Sequence, residues 1–428
     1  MTQTHQTFKS MPDTDSDDSE IVIGPREQLF HLIAEASEIE HTLMCSYLYA
    51  AFSLKEGTQG TGLSATEAET VARWRKLILA VAVDEMVHLV LVSNLSIALG
   101  GRPHFDRPNF PVAAGYFPSG VVVKLTPFSP ETLEHFVFLE RPQGVKLPDG
   151  DGFEHEQSYE REEAYNGLMP SVQDYSTVGR LYEALRVNLV ASARRLGEDA
   201  LFVGPIAGQV GLEAVNLEGV MTIADLSSAV CAIEKIVEQG EGSPTDREDS
   251  HYQRFLVIQR EYAALRAANP DFAPAWPAAE NPVMRRPPEP EGKVFIDDPK
   301  AARVLDFANA TYGMLLRFLV QAFGRSGKNA QAEQALHLGC AIDLMHVLGR
   351  ASSALAQMPA SAEQPRTHAG MSFTMLRSVE PLFAGPAERQ LIHERLRELV
   401  GGARVAARAN ASLQGLDGKI QKIAERFR

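Results

Sequence analysis

The sequence predicts a mainly all-α protein built on a four-helix bundle, with a long loop and short-strand insertion between helices two and three and a further helical module behind it. Three observations predict this. Long stretches carry apolar residues at helical spacing. Two of those stretches place acidic residues inside their apolar stripes: Glu40 in one, and Glu85 with His88 in the other. Glycine and proline clusters separate the stretches at the positions where helices should stop.

The first helix is expected over about Glu27 to Leu54, ending near Gly57. On its wheel Ile33, Ala36, Leu43, Met44, Tyr47 and Ala51 lie within roughly 60° of Glu40. Glu35 and Glu38 fall off that stripe, so Glu40 alone of the three should face the core. The neighbouring His41 turns away and is expected at a surface or interface. The second helix should run from Ala65 to Leu99 and stop at Gly100-Gly101. Ile78, Val81, Leu89 and Val92 surround Glu85, and His88 sits one turn on at the edge of the same face. Asp84 reads as a solvated neighbour. An ionised carboxylate in so apolar a setting is costly unless a partner or a metal compensates it.

Residues 102–118 lose the helical period, Val121 to Leu125 reads as a strand, and Thr132 to Leu139 as a short helix. Residues 141–170 form a long Gly-, Pro- and acid-rich loop of the kind that covers sites. The aromatics Phe105, Phe110, Tyr116, Phe117, Phe128 and Phe136 in this region suggest an apolar substrate pocket. A third helix is expected over Thr177 to Leu196; no carboxylate lies on its apolar face, and Glu183 points elsewhere. That argues against a symmetric two-metal centre, which would want a fourth carboxylate. The fourth helix, Ile223 to Gly240, is flanked along its stripe by Glu234 and Glu241, with Glu238 well off it. Gly240 and Gly242 break the helix, and His251 follows where it restarts.

Seven prolines between Asn269 and Gly292 mark a stiff, extended connector. Helices are then expected over Ala301 to Phe323, Ala330 to Met358, and Pro386 to Phe427 with a break near Gly401-Gly402. Asp343-x-x-His346, with His337 nearby, mimics the ligand spacing but leans off its apolar face and reads as solvated or capped. The expected organisation is a disordered acidic tail over 1–24, a metal-binding bundle over 25–265, a Pro-rich connector over 266–298 and a helical module over 299–428.

The chain has 428 residues, 45% of them hydrophobic, and a formal charge of −14. Such a balance argues against nucleic acid as the main partner. The first residues are polar and acidic, and no uninterrupted apolar run long enough to span a bilayer is evident, so no membrane partner is expected. Cys45, Cys231 and Cys340 lie far apart in apolar helical contexts, which fits buried thiols in a reducing compartment; the cytoplasm is the expected location.

Several stretches together resemble the ferritin-like domain of the iminophenylpyruvate dimer synthase (chromopyrrolate synthase) family. They include Glu40-His41 with Tyr47-Leu48-Tyr49-Ala50, and Asp84-Glu85-Met86-Val87-His88-Leu89 with Asn94. Gly100-Gly101-Arg102-Pro103, Arg107-Pro108-Asn109-Phe110-Pro111, Leu125-Thr126-Pro127-Phe128-Ser129 and Phe138-Leu139-Glu140-Arg141-Pro142 continue the match. Gln239-Gly240-Glu241-Gly242 and Ser250-His251-Tyr252 complete it, so that residues 25–260 are covered well. The resemblance implies a ferritin-like bundle and supports Glu40, Glu85, His88, Glu241 and His251 as metal-site residues, with Glu183 and Glu238 as lesser candidates. Tyr47 would hydrogen-bond a ligand rather than be one.

Oxygen and imidazole donors without thiolate leave iron, manganese and zinc open, in a mono- or dinuclear site; iron is favoured. The function expected is that of a non-haem iron oxidoreductase. It would act with dioxygen on a small, aromatic or amino-acid-derived metabolite in a specialised biosynthetic pathway, as a small homo-oligomer. The rival readings are a non-enzymatic ferritin-like metal-binding or iron-handling protein and a metal-free helical scaffold.

Overall fold

The computed structural model describes residues 21–153, 168–240 and 249–428. Most of the acidic tail therefore lies outside the described residues. Helix α1 (Arg26–Ser53) and helix α2 (Ala65–Ala98) pack along each other and form the spine. Ser64 and Glu67 close a reciprocal capping box at the start of α2. By length and composition α2 is apolar enough to cross a membrane, the one such helix among the described residues, but most of that stretch is buried inside the protein. A helix that is apolar on every side is what a position between other helices requires.

Helices α3 (Pro130–Leu139), α4 (Val178–Leu196), the single turn α5 (Glu198–Leu201), α6 (Leu226–Gly240) and α7 (His251–Ala268) follow. α4 packs on α1, and α6 on both α4 and α2, which closes the four-helix bundle. α3 and α7 pair with each other, and α7 lies beside α2. Ser129, Thr177 and Ser250 cap α3, α4 and α7, each accepting a hydrogen bond from a backbone N–H of the first turn.

The strand expected at Val121 to Leu125 is reduced to one bridge, between Val112 and Val123. Two of its other polar groups are taken by side chains: Ser46 donates to the Lys124 carbonyl, and Leu125 N–H donates to Asn281 Oδ1. Asn281 N–H returns a bond to the Leu125 carbonyl, so this insertion is laced to the Pro-rich segment. That segment is no free spacer. Trp276 N–H bonds Ser53, Ala279 N–H bonds His368, and Pro282–Val283 (β1) pairs in parallel with Val294–Phe295 (β2).

Behind it, α8 (Pro299–Ala322), α9 (Ala330–Leu355), α10 (Pro386–Ala409) and α11 (Leu416–Glu425) form a second helical group, and α9 also packs on α1. The break expected at Gly401-Gly402 is absent. Gly402 instead lets α10 approach α8, since an added Cβ would lie 3.3 Å from the Phe307 ring. The chain turns later, between Asn410 and Gly415. Cys45 and Cys340 are buried as expected, whereas Cys231 is exposed, because it lies on the outer face of α6.

Candidate metal centre

Five side chains converge where α1, α2, α3 and α7 meet. Glu40, Glu85 and His88 bring ligand-type atoms within 4.8 Å of one another, and so do Glu85, Glu140 and His251. All five are buried. Glu85 belongs to both triads and joins them. His88 Nδ1 lies 3.0 Å from Glu85 Oε2 and 3.2 Å from Glu40 Oε2. His251 Nδ1 lies 3.1 Å from Glu85 Oε1 and 3.6 Å from Glu140 Oε2. The two imidazoles stack, their centroids 5.6 Å apart.

Glu140 escapes a wheel analysis because it is not on a helix face: it is the C-cap of α3. His251 is the first residue of α7. Each sits at the end of its helix that disfavours its charge, a carboxylate at a C-terminus and an imidazole at an N-terminus. Compensation must come from across the cluster. The signal that could have found Glu140 was Glu140-Arg141 directly after a short amphipathic helix.

The surrounding groups hold the five in place. Tyr182 on α4 donates to Glu40 Oε1, and Tyr47 on α1 donates to Glu140 Oε1. Gln239 on α6 reaches His88 Nε2 at 3.3 Å. Asp84, expected to be solvated, is instead mostly covered and takes a 2.7 Å bond from Arg254, with His251 Nε2 3.4 Å away. Tyr182, Gln239 and Arg254 carry no charge anomaly in the sequence, and nothing in their spacing singles them out.

Of the remaining expected residues, Glu241 lies outside the described residues. Glu183 is half-buried and bound to Arg186 at 2.6 Å, and Glu238 is exposed on α6; neither joins the cluster. The angular offsets of both on their helices turn them outward. His41 is not at a surface: it is fully buried, held by the Phe105 carbonyl and by Tyr312 of α8. The six aromatics do not form one pocket. Phe136 packs on Tyr47, Phe128 stacks on Trp74, Tyr116 bonds Glu38, and Phe117 borders the metal-site side. In the C-terminal helices Asp343 pairs with Arg426 at 2.9 Å, and Asp343 and His346 join no metal-type group among the described residues.

The electrostatics are those of crowded acid. Burial, then the charge of Glu85, raises the Glu40 carboxyl to about 8. Burial also acts on Glu85, but hydrogen bonding from Glu40 and the charge of His251 outweigh it and hold that carboxyl well below its ordinary value. For His88, burial opposes charging, yet Glu40 and Glu85 raise it to about 10. His251 is likewise raised against burial, by Glu85 and Glu140.

This donor set fits a metal. Three carboxylates and two imidazoles without thiolate suit iron, manganese or zinc. Both ring nitrogens of His251 are buried and make no hydrogen bond of proper geometry, although carboxylates stand on either side. Donors that face one another without bonding are what cation ligation requires. A cavity of about 20 Å³ lies among Glu40, Glu85, His88, Glu140 and Tyr182, room for one or two ion-sized occupants. It adjoins a small apolar cleft through Leu43 and Val178, and Arg141 lines that cleft.

A family model described as ferritin-like matches residues 33–260. The chain belongs to the ferritin-like family. The match spans the bundle, its insertion and both ligand-bearing ends. Two characterised relatives are each 28% identical. Dichlorochromopyrrolate synthase of Lentzea aerocolonigenes aligns over 90% of this chain and 39% of its own length. The 2-imino-3-(indol-3-yl)propanoate dimerase of Chromobacterium violaceum aligns over 79% of this chain and 33% of its own. The chain thus spans well under half the length of either relative, and the resemblance read from its motifs to the dimer synthase family holds. A ferritin-like protein from Caulobacter vibrioides, solved by crystallography, superposes with a TM-score of 0.43 at 19% identity, covering 77% of this chain and 98% of that one.

Proposed function

We propose that this protein is a non-haem metal-dependent oxidoreductase, iron being the favoured metal. It would act on a small aromatic, amino-acid-derived metabolite of a specialised biosynthetic pathway. The observation that carries the reading is the pair of triads sharing Glu85, buried and built from oxygen and imidazole donors alone. The names of the two relatives support the substrate class, since one acts on an indolyl imino acid.

Glu40, Glu85 and His88 would hold one metal position, and Glu85, Glu140 and His251 a second. A redox-active metal there would supply one-electron chemistry toward dioxygen. Tyr182 and Tyr47 fix the free oxygens of Glu40 and Glu140, so that both carboxylates keep one orientation. Gln239 orients the His88 ring, while Asp84, braced by Arg254, stands against His251. The adjoining cleft, walled by Ile39, Phe117, Val121 and Leu139, is small and apolar, and would have to widen to admit an aromatic ring. Arg141 stacks on Phe138 and bonds the Ser176 carbonyl, which holds its cation at that cleft to attract a substrate carboxylate.

The test is elemental analysis of protein purified without chelating tags. Dioxygen uptake by the Fe(II)-loaded protein is then followed with and without the imine of an aromatic amino acid. One to two metals per chain and imine-dependent uptake are expected. Absence of metal, with no uptake of Fe(II) under anaerobic conditions, overturns the reading.

A further inference from the structure

On the opposite side of α1 lies a second and much larger space. It measures about 480 Å³ and is enclosed by α1 and α2 on one side and α8 and α9 on the other. Protein interiors hold few voids larger than a water molecule. This one falls within the range of small-molecule sites. Leu48, Met86, Leu315, Leu319, Leu338 and Met345 give it flexible apolar walls. At the rim Val83 and Ile342 are 40% and 38% exposed, unusual for large apolar side chains on two well-packed helices.

Its polar groups are sorted by depth. The floor is His41, Cys45 and Tyr312, and these are already satisfied. His41 Nδ1 bonds the Phe105 carbonyl, so the proton belongs there and Nε2 accepts from the Tyr312 hydroxyl at 2.6 Å. Arg107 donates to the Tyr312 oxygen from behind, at 3.0 Å. A ligand gains little by sending a polar group to a floor so completely bonded. The rim is different. Arg75, His346 and Arg350 line it, and no aspartate or glutamate lines the space at all. Arg75 pairs with Glu56 and is held across the opening from α2 by Ser353 on α9, at 2.9 Å, whereas Arg350 is exposed, donates to the Ser412 carbonyl and meets no carboxylate among the described residues.

We propose that this cavity binds an amphipathic carboxylate, its apolar body between α1, α2, α8 and α9 and its anionic head at Arg350. The site is separate from the metal centre: on α1, Glu40, Leu43 and Tyr47 face the centre, while His41, Met44, Cys45 and Leu48 face the cavity.

Calorimetric titration of the protein with decanoate, 1-decanol and decyltrimethylammonium tests this. Decanoate should bind saturably, one per chain, and more tightly than the ammonium of equal length. Arg350→Glu, at an exposed position, should weaken decanoate at least about tenfold and leave 1-decanol unchanged. Ala341→Phe, which fills the cavity, should abolish binding of both; Met345→Trp serves the same purpose if that variant does not fold. No saturable decanoate binding, equal binding of the ammonium, or undiminished binding in both filled variants overturns the proposal. So does an oligomer that covers Val83 and Ile342 and excludes decanoate.

Discussion

Glu85→Gln should remove metal from both positions at once, because Glu85 is the only residue in both triads. Glu140→Gln touches only the triad with His251 and should remove at most half. The thermal consequence can be worked out. A metal held at one hundred times its Kd stabilises the folded state by about 2.7 kcal/mol. For a unit the size of this bundle, each kcal/mol moves the melting point by about 2–4 °C. Saturating metal should therefore raise Tm of the native protein by about 5–10 °C for each position filled, and that of Glu85→Gln by almost nothing. Absolute Tm is the wrong readout. Without metal, Glu85 already accepts from His88 Nδ1 at 3.0 Å and stands 3.1 Å from His251 Nδ1. Breaking a buried ion pair costs about 3–5 kcal/mol by itself. The assay is scanning calorimetry with and without Fe(II), Mn(II) or Zn(II) under anaerobic conditions, beside elemental analysis of each variant. The reasoning is refuted if Glu85→Gln keeps the native stoichiometry and shift. A loss in Glu140→Gln as large as in Glu85→Gln would sink the two-triad reading while leaving a single site.

Tyr47→Phe removes the hydroxyl that orients Glu140, and should weaken metal binding about 10–100-fold with the fold intact, as competition with a chromogenic chelator would show. In the C-terminal helices Glu388 is held down to about 2: burial would raise it, but bonds from His337, Arg325 and Gln321 outweigh burial. Its folded value lies below its ordinary 4.5, so its stabilisation is complete above about pH 4.5 and fades as pH falls toward 2. Glu388→Gln should cost about 3 kcal/mol at neutral pH and flatten that acid limb in urea titrations. Gly204→Ala would place a Cβ 1.6 Å from the Ile97 carbonyl oxygen, where α2 ends; a loss of about 3 kcal/mol or more is expected in the same assay.

The bundle was legible because its physics is local. Helical period, caps and glycine stops report on neighbouring residues, and α1, α2, α4 and α6 follow them closely. Glu40, Glu85 and His88 stood out because each occupies a mid-helix position where an apolar residue would otherwise sit. Glu140 and Tyr182 did not. One is at a helix end, where a carboxylate is ordinary; the other is an aromatic on an apolar face, where its hydroxyl leaves no trace. Asp84 and His41 depart from their wheel positions for a shared reason. A wheel assumes one buried face, whereas α1 and α2 are covered on several. His41 is covered by Tyr312 of α8, 271 residues on, and Asp84 by Arg254 of α7, 170 residues on.

That double coverage of α1 has a consequence for how this protein can vary. The helix is a party wall, one helix thick, with carboxylate and phenol side chains furnishing one room and mainly apolar ones, above a bonded His41, the other. Successive residues answer to different rooms, so few positions between Glu40 and Phe52 are at liberty to change. A shift of the backbone that suits one side is imposed on the other. Tuning of the metal centre is therefore expected to come through α3, α4, α6 and α7, which bound one room only.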